Sequence, residues 1–226
     1  EVPKNFYAYQ LYTGSGNQLI LSFTYVPYGK LGLAKTSALK ELSDDNPCYS
    51  LKGAVYDVFE DASLASKVGS ITTDENGQGE LGELMPGTYY VKESKASPGY
   101  ALDPATYQAE VYPDTTTPVG GAAGVKEIPK SDPVGMLVMK IDATTGKSSP
   151  QGSGTLAGAE FTVSYYKGQY QSASAAEGSG APARTWVFKT DSDGFADYAD
   201  AYKVAGPALY RMSNGDPTIP LGTIVV

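Results

Sequence analysis

The sequence has no histidine in its 226 residues. That excludes histidine triads, most zinc sites and the commonest general acid or base near neutral pH. Its one cysteine, Cys48, excludes an intramolecular disulfide and a cysteine metal cluster; beside Pro47 in a polar stretch it reads as an ordinary free thiol. Basic residues are few, 17 against 25 acidic for a net charge of −8, and they form no patch. A surface that tracks phosphates needs such a patch, so nucleic acid is not an expected partner. No apolar run approaches the ~18 residues that cross a bilayer, and membrane insertion is not expected either. Helical periodicity never lasts three turns; the best stretch, residues 38–42, is one turn long and is expected in a loop. The chain opens at Glu1 without methionine, signal peptide or anchor, and reads as a piece of something longer.

What is present alternates with period two. Residues 18–26, 54–59, 88–91, 159–163 and 185–188 are runs of β-branched and aromatic side chains. Turn clusters bound them, among them Asp74-Glu75-Asn76-Gly77, Met85-Pro86-Gly87, Asp191-Ser192-Asp193-Gly194 and Asn214-Gly215-Asp216-Pro217. Glycine (26) and proline (15) punctuate the chain, and tyrosine (18) outnumbers phenylalanine (6). Many short strands at close spacing predict an all-β protein of antiparallel sandwiches.

The chain also repeats itself. Gly32-Leu33-Ala34-Lys35 matches Leu137-Val138-Met139-Lys140, and Leu51-Lys52-Gly53-Ala54 matches Leu156-Ala157-Gly158-Ala159, both at an offset of 105 residues. Thr73-Asp74-Glu75-Asn76-Gly77 answers Thr190-Asp191-Ser192-Asp193-Gly194, and residues 85–91 answer 219–226. Four blocks in one order indicate two copies of a domain. The expected division is an N-terminal β segment over 1–29, a first sandwich over 30–129, a stiff proline-containing connector over 130–135, and a second sandwich over 136–226 that stops early. Residues 166–184 of the second copy, rich in serine, alanine and glycine, read as a mobile surface loop.

These blocks carry a resemblance. Lys35 after Leu31-Gly32-Leu33-Ala34, then Leu51-Lys52-Gly53-Ala54-Val55-Tyr56-Asp57-Val58-Phe59, resembles the CnaB-like, SpaA-type (prealbumin-like) domains of Gram-positive surface proteins and pilins. So does the box Pro86-Gly87-Thr88-Tyr89-Tyr90-Val91-Lys92-Glu93-Ser94-Lys95-Ala96-Ser97-Pro98-Gly99-Tyr100. The resemblance covers about 30–226 and is strongest in the first copy. It implies tandem sandwiches of reverse immunoglobulin-like type and an isopeptide bond. In that chemistry a first-strand lysine attacks the side-chain carbonyl of a last-strand asparagine or aspartate, assisted by a buried acid. The physical logic is general: burial favours a neutral amine nucleophile and a protonated carboxylic acid able to relay protons.

The resemblance makes Lys35 the nucleophile and Glu93 the assisting acid. No asparagine lies between Asn76 and Asn214, and Glu127 stands where the partner Asn or Asp is expected. Glutamate is one methylene longer, which displaces its carbonyl from the usual reacting position. Lys140 has the nucleophile's place in the second copy, but the counterpart of Glu93 falls beyond Val226, so Lys140 has no partner in the chain. The truncated second sheet is expected to expose strand edges, with residues 18–26 one candidate filler. Lys4, in Val2-Pro3-Lys4-Asn5, faintly resembles the pilin lysine that sortases join.

The plainer alternatives are an ordinary buried ion pair for Lys35 and Glu93, an exposed lysine for Lys4, and hairpin turns rather than calcium loops at 74–77 and 191–194. No metal and no cofactor are expected. The expected function is structural: a stalk or shaft fragment of a Gram-positive adhesin or pilin, extracellular and attached to the cell wall, with neighbouring domains of the same surface protein or pilus as partners. It is not an enzyme with turnover; any isopeptide reaction runs once per molecule. The alternative function is an adhesin module in which loop 166–184 or tyrosine-rich faces bind a host protein or glycan.

Overall fold

The computed structural model describes residues 6–14, 18–132 and 138–226. It is built of strands, with two α-helices of four and six residues and a 3-10 turn at Gly121–Ala123 among the described residues. The chain divides into two compact units, and the division does not follow the sequence. One unit contains the residues up to Thr36 together with Ser50–Glu127; the other contains Ser37–Tyr49 together with the residues from Ile128 onward.

In the first unit β1 (Phe6–Gly14) pairs antiparallel with β2 (Gln18–Tyr25). The sandwich follows: β3 (Gly29–Ser37), β4 (Val55–Phe59), β5 (Lys67–Thr72), β6 (Gln78–Leu84), β7 (Gly87–Lys95), β8 (Thr106–Val111), β9 (Thr116–Pro118) and β10 (Val125–Glu127). One sheet runs β5-β4-β7-β8; the other runs β10-β3-β6, with β9 added in parallel to β3. Side chains at alternate positions close the space between them: Leu31 and Leu33 from β3, Tyr56 and Val58 from β4, Tyr89 and Val91 from β7, and Val125 from β10.

That alternation does not stop where the apolar residues stop. Once Leu31 and Leu33 face inward, residue 35 must face inward too; once Tyr89 and Val91 do, residue 93 must follow; Val125 fixes residue 127. A lysine and two glutamates are thereby carried into the end of an apolar core.

The second unit contains α1 (Lys40–Ser43), β11 (Ser131–Asp132), β12 (Val138–Met139), β13 (Glu160–Lys167), α2 (Ala173–Gly178), β14 (Arg184–Lys189), β15 (Phe195–Ala196), β16 (Lys203–Ala205), β17 (Ile219–Pro220) and β18 (Gly222–Val225). Its largest sheet is β16-β14-β13-β18, and the short pairs β12-β15 and β11-β17 stand apart from it. Trp186 is fully buried, with Tyr198 and Tyr210 edge-on at 5.2 and 6.1 Å between ring centres. The two units share local hydrogen bonds as well as sequence blocks. The Thr73 hydroxyl donates to Leu51 O and accepts from Ala54 N, and the Thr190 hydroxyl does the same with Leu156 O and Ala159 N.

Two findings differ from expectation. Residues 166–184 hold α2, capped by the Ser172 hydroxyl, which accepts from Ala175 N, and anchored by the buried Ala176. Residues 18–26 do not fill the second unit's edge; among the described residues β2 pairs with β1 alone. The segment Ser37–Tyr49 instead packs into the second unit and holds the junction of β17 and β18. Leu42 is buried in the second unit's core. Asn46 Nδ2 donates to Leu221 O at 2.8 Å, and the Tyr49 hydroxyl accepts from Leu221 N at 2.8 Å while donating to Lys130 O at 2.5 Å. Both backbone groups of the residue joining β17 to β18 are thus satisfied without a further strand.

Candidate functional site

Lys35, Glu93 and Glu127 meet at the end of the first unit's core, each at 2% exposure or less. Lys35 Nζ lies 3.5 Å from Glu93 Oε1 and in direct contact with Glu127 Oε2. Although they touch, neither Lys35 Nζ nor Glu127 Oε2 is engaged in a hydrogen bond, and Glu93 Oε1 has none either. The amine also stands over the Tyr100 ring, 4.9 Å from its centre.

The backbone around Lys35 is held closely. Its N–H donates to Gly77 O at 2.8 Å, as Lys140 N does to Gly194 O in the second unit. Gly77 has φ +74°, and a Cβ there would collide with Lys35 O. Gly124, at φ +64°, approaches Ala34 O in the same way. Two glycines therefore let neighbouring backbone close on the strand end that carries the lysine.

Sequence reasoning missed the rest of the site. Tyr56 lies directly opposite Glu93 in the β4-β7 pairing, and its hydroxyl donates to Glu127 Oε1. Glu93 Oε2 accepts Asp103 N at 2.6 Å, and Asp103 Oδ2 accepts the Tyr107 hydroxyl at 2.5 Å. Burial pushes Glu93 up to about 7; the Asp103 N–H opposes that, the neighbouring Glu127 adds to it and Lys35 counters it. Burial first, then the Glu127 hydrogen bond and charge, hold the Tyr56 phenol far above its usual range, so it remains a donor.

A group whose pKa is raised by folding stabilises the fold fully below its unfolded value, here 4.5, and loses that contribution as pH rises through its folded value. In Lys35→Met, which cannot form a cross-link, burial and Glu127 still act on Glu93. The urea midpoint of that variant should fall between pH 5 and pH 8, and Glu93→Gln in the same background should flatten the slope. A midpoint already flat in Lys35→Met would contradict the placement of Glu93.

The other sequence candidates are elsewhere. Lys140 is half-buried, and none of the ion pairs among the described residues includes it. Lys4 lies outside the described residues. Asp74 Oδ1 accepts Asn76 N and Gln78 N, and Asp191 Oδ1 accepts Asp193 N and Phe195 N, so both carboxylates close their own turns.

Residues 29–121, less than half of the chain, match the family model of the SpaA prealbumin-like fold domain. No curated protein matches the sequence. Among solved structures the chain is similar to the Bacillus anthracis TIE protein, at 23% identity over 84% of this chain and 32% of that one, with a TM-score of 0.51. It thus spans about a third of that protein's length, and the likeness bears on the fold alone. It is also similar to the T6 backbone pilin of serotype M6 Streptococcus pyogenes (24% identity, 44% of this chain, 19% of that chain, TM-score 0.33). A third similar structure is the minor pilin of Streptococcus agalactiae (17%, 63%, 65%, TM-score 0.35).

Proposed function

We propose that this chain, whose residues 29–121 match the SpaA prealbumin-like domain model, is a load-bearing shaft element of an extracellular Gram-positive surface protein or pilus, locked by an isopeptide bond between Lys35 and Glu127. The observation that carries this reading is the buried Lys35 amine touching the Glu127 carboxyl without a hydrogen bond, with a second acid beside it. Two opposite charges in an apolar core are costly to hold apart from water, and an amide removes both.

The step balances. A proton passes from the Lys35 ammonium to the carboxylate pair, freeing the amine. Nζ attacks Cδ of Glu127, the Cδ–Oε2 bond breaks, and Oε2 leaves as water with its protons relayed through Glu93. Two of the three ammonium protons leave in that water and the third stays on the amide nitrogen, so Glu93, protonated at the start as its raised pKa favours, is protonated again at the end. Holding the reactants in contact supplies an effective concentration of about 10⁵ M or more, enough to drive condensation without an activated ester. The reaction occurs once per molecule, which is self-modification and not turnover.

The mechanical consequence follows from sheet order. β3 and β10 are neighbours, so a Lys35–Glu127 bond joins the first and last strands of the sandwich sheet. Tension entering through β3 leaves through β10, and the enclosed residues carry none of it. Pulled from its two ends, the chain should stop short of its full contour by roughly 300 Å, the extended length of the enclosed residues at ~3.4 Å each. Lys35→Ala should restore that length. A wild-type chain that extends fully would contradict the shaft reading. In tryptic digests a branched peptide should join Lys35 to Glu127, and none should join Lys140 to residues 141–226.

A further inference from the structure

We propose that the Tyr56 hydroxyl is a catalytic group of this condensation: it is the donor that receives the charge developing on Glu127 Oε1, and it is what allows a glutamate to serve as the electrophile. The inference rests on the Lys35–Glu127 bond proposed above and assigns a residue to it.

The geometry divides the Glu127 carboxyl between two groups. Oε2 faces the lysine, whereas Oε1 accepts the Tyr56 hydroxyl. When Nζ adds to Cδ, Oε2 is the oxygen that leaves and Oε1 the one that carries negative charge in the tetrahedral intermediate. A fixed donor on Oε1 is therefore aimed where charge develops, in a site closed to water. Tyr56 is fully buried and points inward with Val58 by strand alternation, so its hydroxyl needs no reorganisation as the reaction proceeds. Burial and the surrounding carboxylates keep the phenol protonated, which suits a donor and excludes a base.

The length of the electrophile fits the same assignment. Glu127 carries its carboxyl one methylene farther from β10 than an aspartate does, and that is how Oε1 reaches across the core to β4. The division of donors also leaves Glu93 free to act on the departing oxygen, since its other oxygen is already occupied by Asp103 N.

The second unit supplies an internal comparison. At the 105-residue offset Tyr56 corresponds to Phe161, which has the ring without the hydroxyl. Lys140, the counterpart of Lys35, stands there without a carboxylate partner among the described residues. The hydroxyl is present in the copy that holds the electrophile and missing from the copy that does not.

The test compares full-length wild type, Tyr56→Phe and Val58→Ala by intact mass during and after synthesis. Val58→Ala loosens the same strand and core but keeps the hydroxyl. Wild type and Val58→Ala should be lighter than their sequences by one water. Tyr56→Phe should retain hydrogen-exchange protection in β3 and β7 yet link at least about 100-fold more slowly, the usual effect of losing one oxyanion donor. A Tyr56→Phe chain that links as fast as wild type overturns the assignment and leaves the bond intact. A wild-type chain without water loss overturns the bond itself, and the assignment with it. Should Tyr56→Phe not fold, 3,5-difluorotyrosine at position 56 keeps the shape and strengthens the donor. Its linking rate, followed in pulse-labelled cell-free synthesis, must then exceed that of wild type, and an unchanged rate overturns the assignment.

Discussion

Replacing Lys35 with alanine is expected to lower the melting point of the first unit by roughly 20 °C, from a loss of at least about 4 kcal/mol at ~4–8 °C per kcal/mol for a domain of this size. Two costs meet at one residue. The proposed Lys35–Glu127 bond would close a loop of about 90 residues, worth ~4–5 kcal/mol by analogy with a disulfide. Removing the amine also leaves Glu93 and Glu127 facing each other in the core, and breaking a buried pair alone costs about 3–5 kcal/mol. The two overlap, because proton sharing between the carboxylates relieves part of the second. Lys140→Ala, at the matching place in the other unit, should move stability by less than about 0.5 kcal/mol, since no ion pair among the described residues depends on it. Separate calorimetric transitions for the two units would show both effects in one experiment.

Leu42→Ala is expected to destabilise the second unit by about 2–5 kcal/mol and the first by little. Leu42 lies between two strands of the first unit in sequence, but its side chain is 2% exposed within the cluster of Val163, Tyr165, Trp186 and Tyr210. Hydrogen exchange should show protection lost along β13 and β14 and kept along β3, β4 and β7. Loss confined to β3 and β4 would contradict the placement of Ser37–Tyr49 in the second unit. Tyr49→Phe should act in the same direction with a smaller effect, about 1–3 kcal/mol, by leaving Lys130 O and Leu221 N without that hydroxyl.

The legible and illegible parts of this molecule separate by the range of the interaction that fixes them. Period-two alternation is local, so β4, β7, β13 and β14 were readable as strands; Lys35 and Glu93 were singled out by the family resemblance, and their inward registers with Leu33 and Val91 are a finding of the structure. The repeat added what alternation cannot, a correspondence between Lys35 and Lys140 that the matching hydrogen bonds to Gly77 and Gly194 reproduce. Tyr56 was present in the same motif but carried no signal as a site residue. A tyrosine on a core strand is ordinary, and only its partner 71 residues away gives the hydroxyl a role. The signal available was the contrast between Tyr56 and Phe161 at the repeat offset.

The segment Ser37–Tyr49 was illegible for a related reason. Its helix is four residues long, too short for periodicity to show, and Asn46 finds its partners 119 and 175 residues away. The sequence pattern placed it in a loop of the first copy; burial of Leu42 and the hydrogen bonds of Asn46 and Tyr49 place it in the second unit. Likewise α2 hid within a serine-, alanine- and glycine-rich stretch, where composition masks a capped turn whose one buried residue is an alanine.

The intact mass of the wild-type chain, measured at sub-dalton accuracy after denaturation, tests the central claim most directly. A buried amine in contact with a carboxyl, an acid beside it and a donor behind it should have condensed, and the chain should weigh less than its sequence by one water. Lys35→Ala and Glu127→Ala should each show their full sequence mass. A wild-type mass equal to the full sequence mass would mean that Lys35, Glu93 and Glu127 form a buried ion cluster and nothing more.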